Sequence, residues 1–536
     1  MKRRPSVLAA TAAISFVIAG CASNESHEGH ARLGKVNFPV ECNAAAQREF
    51  NVAMAYYHSF AWQHIREPLE GVLKADPACG MAHWARVLAS LDNPFTWPGT
   101  ISVATLNQGP EILETARKTG LKSQRERDYV EALAVFFRDH DKRDHRTRAK
   151  ALETALEQLM QRYPHDSEAA ILYALVLSAN FDPTDRQYTN QLKAAKVLEP
   201  IFKQQPEHPG VAHYLIHSYD YPPIAKQGLD AARRYDKIAP DAPHALHMPS
   251  HIFTRVGAWK ESIRSNRASA SSATDKTFDK WHAYDYMVYA HLQLGEDAAA
   301  RKVIAEALGN PARVDHFATA YAYAAMPARI ALERAEWKEA AKVELAPAAA
   351  AYPWAKYPQA ESINAYARGI GAAMSGDAAG ARNELARIEK LRDVAASRKL
   401  GYWVEEIAIQ AEVVRALASC AEGKRTECTG ALRSAADRED RLEKHVVTPG
   451  RLVPAREMLA EMTLESGDAA AALREFEAVV EREPNRLRTF AGAARAAERA
   501  GDKAKAAHYA ARLVQLTETA DTQLAEVAHA RRLIGK

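Results

Sequence analysis

A fixed period constrains this chain more than any other feature. Gln205-Pro206 and Ala239-Pro240 each close one helical pattern and precede another, 34 residues apart. Gly467 and Gly501 repeat that interval, each opening a Gly-Asp turn ahead of an Ala-rich stretch. Such a period marks a stack of helix pairs, because one pair cannot bury its apolar face alone and a neighbour must supply the missing core. Strand-like alternation is absent, and helical patterning recurs from about Asn43 to the C terminus. The 536 residues are therefore read as an all-α chain of many stacked hairpins.

Local motifs agree with the period. Gly257-Ala258-Trp259-Lys260-Glu261-Ser262 resembles the small-x-aromatic-x-x-small turn between the two helices of a tetratricopeptide repeat (TPR). Leu73-Lys74-Ala75-Asp76-Pro77 and Glu481-Arg482-Glu483-Pro484 resemble the end of its second helix. The resemblance to the TPR superfamily covers most of the chain and is closest between Asp166 and Leu308. It implies a helix-turn-helix solenoid, a right-handed superhelix of antiparallel helix pairs whose concave groove binds a peptide, protein or small ligand. Two stretches depart from the pattern. Asp92 to Pro110, with Pro94, Trp97, Pro98 and Gly99, reads as a loop, and Ala350–Gln359, with Pro353 and Pro358, reads as a break. The break divides an N-terminal and central region, 37–349, from a C-terminal region, 350–536.

The first residues bear on where the protein works. Lys2, Arg3 and Arg4 precede an apolar stretch from Val7 to Ile18, too short for a comfortable membrane span, so residues 1–20 read as a signal peptide. Ile18-Ala19-Gly20-Cys21 resembles the bacterial lipobox, which implies a lipid on Cys21. Ala22 after that cysteine implies, in enteric bacteria, an outer-membrane lipoprotein facing the periplasm; the alternative is an ordinary signal peptide cut nearby. Residues 21–36 read as a flexible tether, with His27 and His30 as solvated linker residues. The formal charge is +4; residues 1–20 hold three of the positive charges and no acid, leaving about +1, which gives no support for nucleic-acid binding. With Cys21 acylated, Cys42, Cys79, Cys420 and Cys428 remain, an even count that suggests two disulfides in an oxidising compartment. Cys420 and Cys428 flank a short polar link and could form a local staple. Cys42 and Cys79 would then pin the first helices, although sequence alone proves neither pairing.

The chemistry concentrates in the central repeats. His213 and His217 are spaced i,i+4, as are His247 and His251, so each pair projects from one helix face. Each ring of the second pair follows its counterpart by 34 residues, in phase with the period. By resemblance to the TPR superfamily, both pairs fall on the positions that line the concave groove. Two registers lead to a third helix. Counting 34 from His251 gives Asp285, whereas aligning Gly257 with Gly295 matches Asp285 to His247 and His282 to His244. Four imidazoles and a carboxylate suit a transition metal such as Zn, Cu or Fe, with Asp285 either a ligand or an orienting group. Met248 makes copper worth naming, and Pro249 should kink the helix that carries the second pair.

Other residues have competing readings. His244, His282, Arg255, Tyr214, Tyr284 and Tyr289 are candidates for an outer shell or a substrate groove; His208 is either an outer-shell group or a helix-start residue. His58, His64 and His83, set among aromatics, are read as packing. Three functions fit: a periplasm-facing binding scaffold with a metal site, a metal-free peptide- or protein-binding adaptor, and a metal-dependent oxidase or hydrolase. The enzyme could draw on Tyr219, Asp220 and Tyr286, but no catalytic signature marks it.

Overall fold

The structure is a computed structural model, and it describes residues 31–99 and 101–535. These residues form α-helices and short 3-10 turns with no strand among them, and the helices pair antiparallel as a TPR-like helix-turn-helix solenoid. Cys21, His27, His30 and the signal-like segment lie outside the described residues. No helix among the described residues is long and apolar enough to cross a membrane.

The hairpins start and stop where the sequence supplies the means. Asp166 caps the helix Ser167–Ala179 by accepting from the amides of Glu168 and Ala169. Pro209 and Pro243 sit in first turns, where a missing N–H costs nothing. Gly257, at φ +68°, turns the chain into the helix Trp259–Ser272. A Cβ at Gly257 would also lie 2.6 Å from the Asn485 side chain and from the Pro484 carbonyl. The indole of Trp259 donates to the Asn485 carbonyl (2.8 Å), so a C-terminal hairpin is clamped to a central one.

The expected divisions shift. Residues 32–36, read as tether, pack on the body: Leu33 and Val36 are buried, the Lys35 amide donates to the Glu207 carbonyl, and Arg32 pairs with Asp241. Burial of the two apolar side chains, together with these polar contacts, favours the ordered segment. The stretch from Asp92 to Pro110 is a loop only in its first half, since a helix capped by Ser102 runs over Val103–Thr119 with Pro110 inside it. The break at 350–359 holds two short 3-10 turns and the start of the helix Pro358–Met374. One hydrophobic core nevertheless runs across it from Ala270 to Met462. The chain irregularity there is no boundary in the packing.

Both cysteine pairings form, Cys42 with Cys79 and Cys420 with Cys428. The first closes 37 residues of separation and the second 8. Loop-closure entropy therefore makes the first the stronger constraint on the unfolded chain, about 4 kcal/mol against about 2.5.

Residues 440–454, between the helices Arg425–Glu439 and Ala455–Glu465, form an irregular strap beside the central hairpins. Glu443 accepts from Arg186 (3.2 Å) and from the Tyr188 hydroxyl (3.0 Å). The Tyr286 hydroxyl lies 3.3 and 3.2 Å from the carbonyls of Val446 and Thr448. Arg329 donates to the Gly450 carbonyl (3.1 Å) and to the Thr448 hydroxyl (3.0 Å). The strap is thus hydrogen-bonded to the central helices along its length.

Candidate metal centre

The helix Pro209–Tyr219 carries His213 and His217. His244 and His247 lie on Pro243–His247, His251 on Pro249–Arg255, and His282 on Asp279–Leu294. Pro249 does split the second helix, but the junction residue Met248 keeps right-handed helical angles (φ −53°, ψ −36°). The i,i+4 relation of His247 and His251 therefore survives, and their Nε2 atoms lie 3.0 Å apart.

Among the described residues, three groups have ligand atoms within 4.8 Å of one another: His213, His217 and His244; His247, His251 and His282; and His58, Glu168 and His208. The first two adjoin, with ring centres 6.1 Å apart for His217 and His251 and 6.3 Å for His244 and His247. His244 and His282, read as outer groups, complete these sets. The four ladder histidines are 5 % exposed or less, so no open groove reaches them.

Hydrogen bonds decide which nitrogens are free. The Asn266 amide nitrogen donates to the Ser262 carbonyl (2.8 Å), which turns its oxygen toward His247 Nδ1 at 2.6 Å. His251 Nδ1 lies 2.9 Å from the Asp220 carboxylate, and His213 Nδ1 2.8 Å from the His58 carbonyl. All three partners accept only, so each Nδ1 carries the proton and each Nε2 presents a lone pair. Two such lone pairs face each other between His247 and His251. His213 Nε2 faces His244 Nε2 at 3.2 Å, and His217 Nε2 and His282 Nδ1 are buried without a partner.

Electrostatics keep these rings neutral. Burial pushes all six below the ordinary imidazole value, with neighbouring rings adding to the effect for most of them; at His251 the Asp220 carboxylate offsets part of it. Burial opposes ionisation of Asp220, yet Lys444, Arg255 and His251 hold it well below the usual carboxylate range. Arg255 donates to Asp220 at 2.8 Å, and Lys444 lies 3.6 Å from it. A carboxylate that orients a ring whose other nitrogen is bare is the arrangement found behind metal-ligating histidines.

Asp285 is a correction. Arg329, on the helix Phe317–Glu333, takes both its oxygens at 2.8 and 3.2 Å, and Asp285 belongs to none of the three groups. Both registers match Asp285 to a ladder histidine, but Arg329 takes its carboxylate, and it is His282, one turn earlier on the same helix, that joins the array. Of the proposed outer groups, Arg255 holds Asp220, whereas Tyr214 donates to His58 at 2.9 Å, Tyr289 accepts from Arg486 at 2.8 Å, and Tyr284 packs in the adjoining core. Asn266 went unread; its signal is the polar stripe Ser262, Ser265, Asn266 and Ser269, all buried on one helix. His58, read as packing, bridges instead to Glu168 at 3.0 Å. Phe60 and Phe95 stack on His244 and His217.

Fold and site together define a TPR-like helical scaffold with a buried histidine array. No family model matches the chain, and no curated protein does. Among solved structures it is similar to the Naa15/Naa10 assembly bound to HypK-THB, at 11% identity and a TM-score of 0.25, over 91% of this chain and 73% of that one. It is also similar to yeast Tom70, at 10% identity and a TM-score of 0.29, over 91% of this chain and 88% of that one. The fold class rests on the helix pairs themselves.

Proposed function

We propose that this protein binds transition-metal ions in its central histidine array, on a TPR-like scaffold anchored through a lipid on Cys21 to the outer membrane and facing the periplasm. One observation carries the metal reading. His247 and His251 point Nε2 lone pairs at each other across 3.0 Å while acceptors hold both Nδ1 protons. Two buried lone pairs repel, and a cation between them turns the repulsion into two bonds. Neutral imidazoles suit Zn, Cu or Fe. Asp220, Asn266 and the His58 carbonyl orient the rings.

A peptide or protein partner belongs to the same proposal, but away from the histidines, because residues 440–454 occupy the stretch beside them. The test is metal content of the purified full-length chain by plasma mass spectrometry, beside a variant carrying His247→Asn and His251→Asn. Near-stoichiometric metal in the parent, lost from a variant of unchanged helical circular dichroism, supports the reading. Absence of metal after loading with Zn and Cu overturns it.

A further inference from the structure

Resting on that metal reading, we infer that the array holds two copper ions, one in each three-histidine set, and that the reduced pair binds dioxygen between them. Three observations point there.

The six rings form two sets rather than one. His213, His217 and His244 converge separately from His247, His251 and His282. Each set offers three nitrogens, a full trigonal shell for copper(I). Adjoining rings of the two sets are 6.1 and 6.3 Å apart, centre to centre. Ions bonded about 2 Å from their nitrogens would both be within reach of one small bridging molecule.

Charge selects the ion. Neither set contains a carboxylate. The adjacent acid, Asp220, is already shared by His251, Arg255 and Lys444, so the surroundings carry no spare negative charge. Two divalent ions would bury four uncompensated positive charges among neutral rings, and two copper(I) ions only two. Imidazole accepts copper readily, and the monovalent state is the one this array tolerates unaided.

The same imbalance says what the pair would take up. Each copper(I) gives one electron to dioxygen. The O–O bond order falls from two to one, and peroxide bridges two copper(II) ions. No proton is needed, and the peroxide dianion cancels the two positive charges that oxidation creates. Phe60 and Phe95 stack against rings of the first set, and Tyr286 stands with its hydroxyl 3.5 Å from His251 Nε2, so aromatic side chains flank both sets.

The test loads the full-length chain with copper(I) under argon, counts copper by plasma mass spectrometry, then admits air. Expected are two coppers per chain, an intense near-ultraviolet charge-transfer band after oxygenation, and an electron paramagnetic resonance (EPR) signal under one tenth of the copper present, because coupled spins cancel. His244→Ala and His282→Ala, one in each set, should each retain one copper, lose the band and show one full spin after oxidation. Either variant suffices if the other fails to fold by circular dichroism. One copper per chain in the parent, or two that give two full spins, overturns the pair while leaving the metal reading intact. No copper, zinc or iron bound at all overturns both.

Discussion

Two buried clusters in this molecule look alike on a list of residues and differ in their protons. His58, Glu168 and His208 form a closed set. Glu168 accepts from Nε2 of both rings at 3.0 Å; His58 Nδ1 accepts from Tyr214, and His208 Nδ1 from the Val211 amide. Burial opposes ionisation of Glu168, but the two histidines take its carboxyl down to about 2. Every proton there has a place. In the six-histidine array acceptors hold Nδ1 of His213, His247 and His251, whose Nε2 atoms face neighbouring rings, with the Tyr286 hydroxyl 3.5 Å from that of His251; His217 Nε2 and His282 Nδ1 have no partner. Proximity alone does not make a metal site. A surplus of lone pairs over protons does, and it can be counted.

The largest expected effect separates the two clusters by stability. Glu168→Gln leaves one histidine of the closed set without its acceptor and should cost about 3 kcal/mol of unfolding free energy. Metal content should not change, as urea melts and mass spectrometry of the same sample would show. A loss of metal would mean that the closed set is also a site. Asp220→Asn acts on the open array. It removes the carboxylate behind His251 and should weaken metal binding by about 10- to 100-fold in a competition titration. No change would show that Asp220 serves only the ion pairs with Arg255 and Lys444.

The strap sharpens the contrast, because it lies beside the array through Tyr286 and Lys444. A Cβ on Gly450 would meet the Tyr289 hydroxyl at 2.6 Å and its ring at 2.8 Å. Gly450→Ala should therefore cost about 1–2 kcal/mol and speed metal release to a chelator; an unchanged release rate would uncouple strap from array. The smallest effect is on pH. His445 packs among Phe317, Tyr402 and Trp403, and burial, helped by the Lys444 charge, pushes it down to about 3. The unfolded chain then takes up a proton that the folded one refuses. Its contribution is complete above about pH 6.5 and is lost as pH falls toward 3. In His445→Phe the melting temperature should fall less between pH 7 and 5 than in the parent, and equal slopes would contradict this assignment.

Much of the fold was legible, because a solenoid is built from local pairs. The 34-residue interval, the prolines at 206 and 240 and the turn at Gly257 placed the helices that carry the ladder. The even number of cysteines suggested two disulfides, and the structure forms the pairing that the short Cys420–Cys428 link favoured without proving. The site was legible only where it obeys the same period. His213, His217, His247 and His251 repeat in phase, whereas His282 and Asp285 fall where the repeat lengthens by four residues, and the two registers competed. The groups that orient the rings come from elsewhere. The His58 carbonyl reaches His213 across 155 positions and Tyr286 meets the strap across 160, and no local pattern encodes such contacts. Buried proton bookkeeping likewise needs coordinates, since Asn266 matters only once its amide is seen to be turned by Ser262.

The most direct measurement is an anomalous difference map from a crystal of the copper-loaded protein, recorded above and below the copper edge. A peak bonded to Nε2 of both His247 and His251, a second peak at His213, His217 and His244, and none at His58, Glu168 and His208 is the predicted result. A peak at the closed set, or His247 and His251 turned so that their Nε2 atoms no longer face with no metal between them, would contradict it.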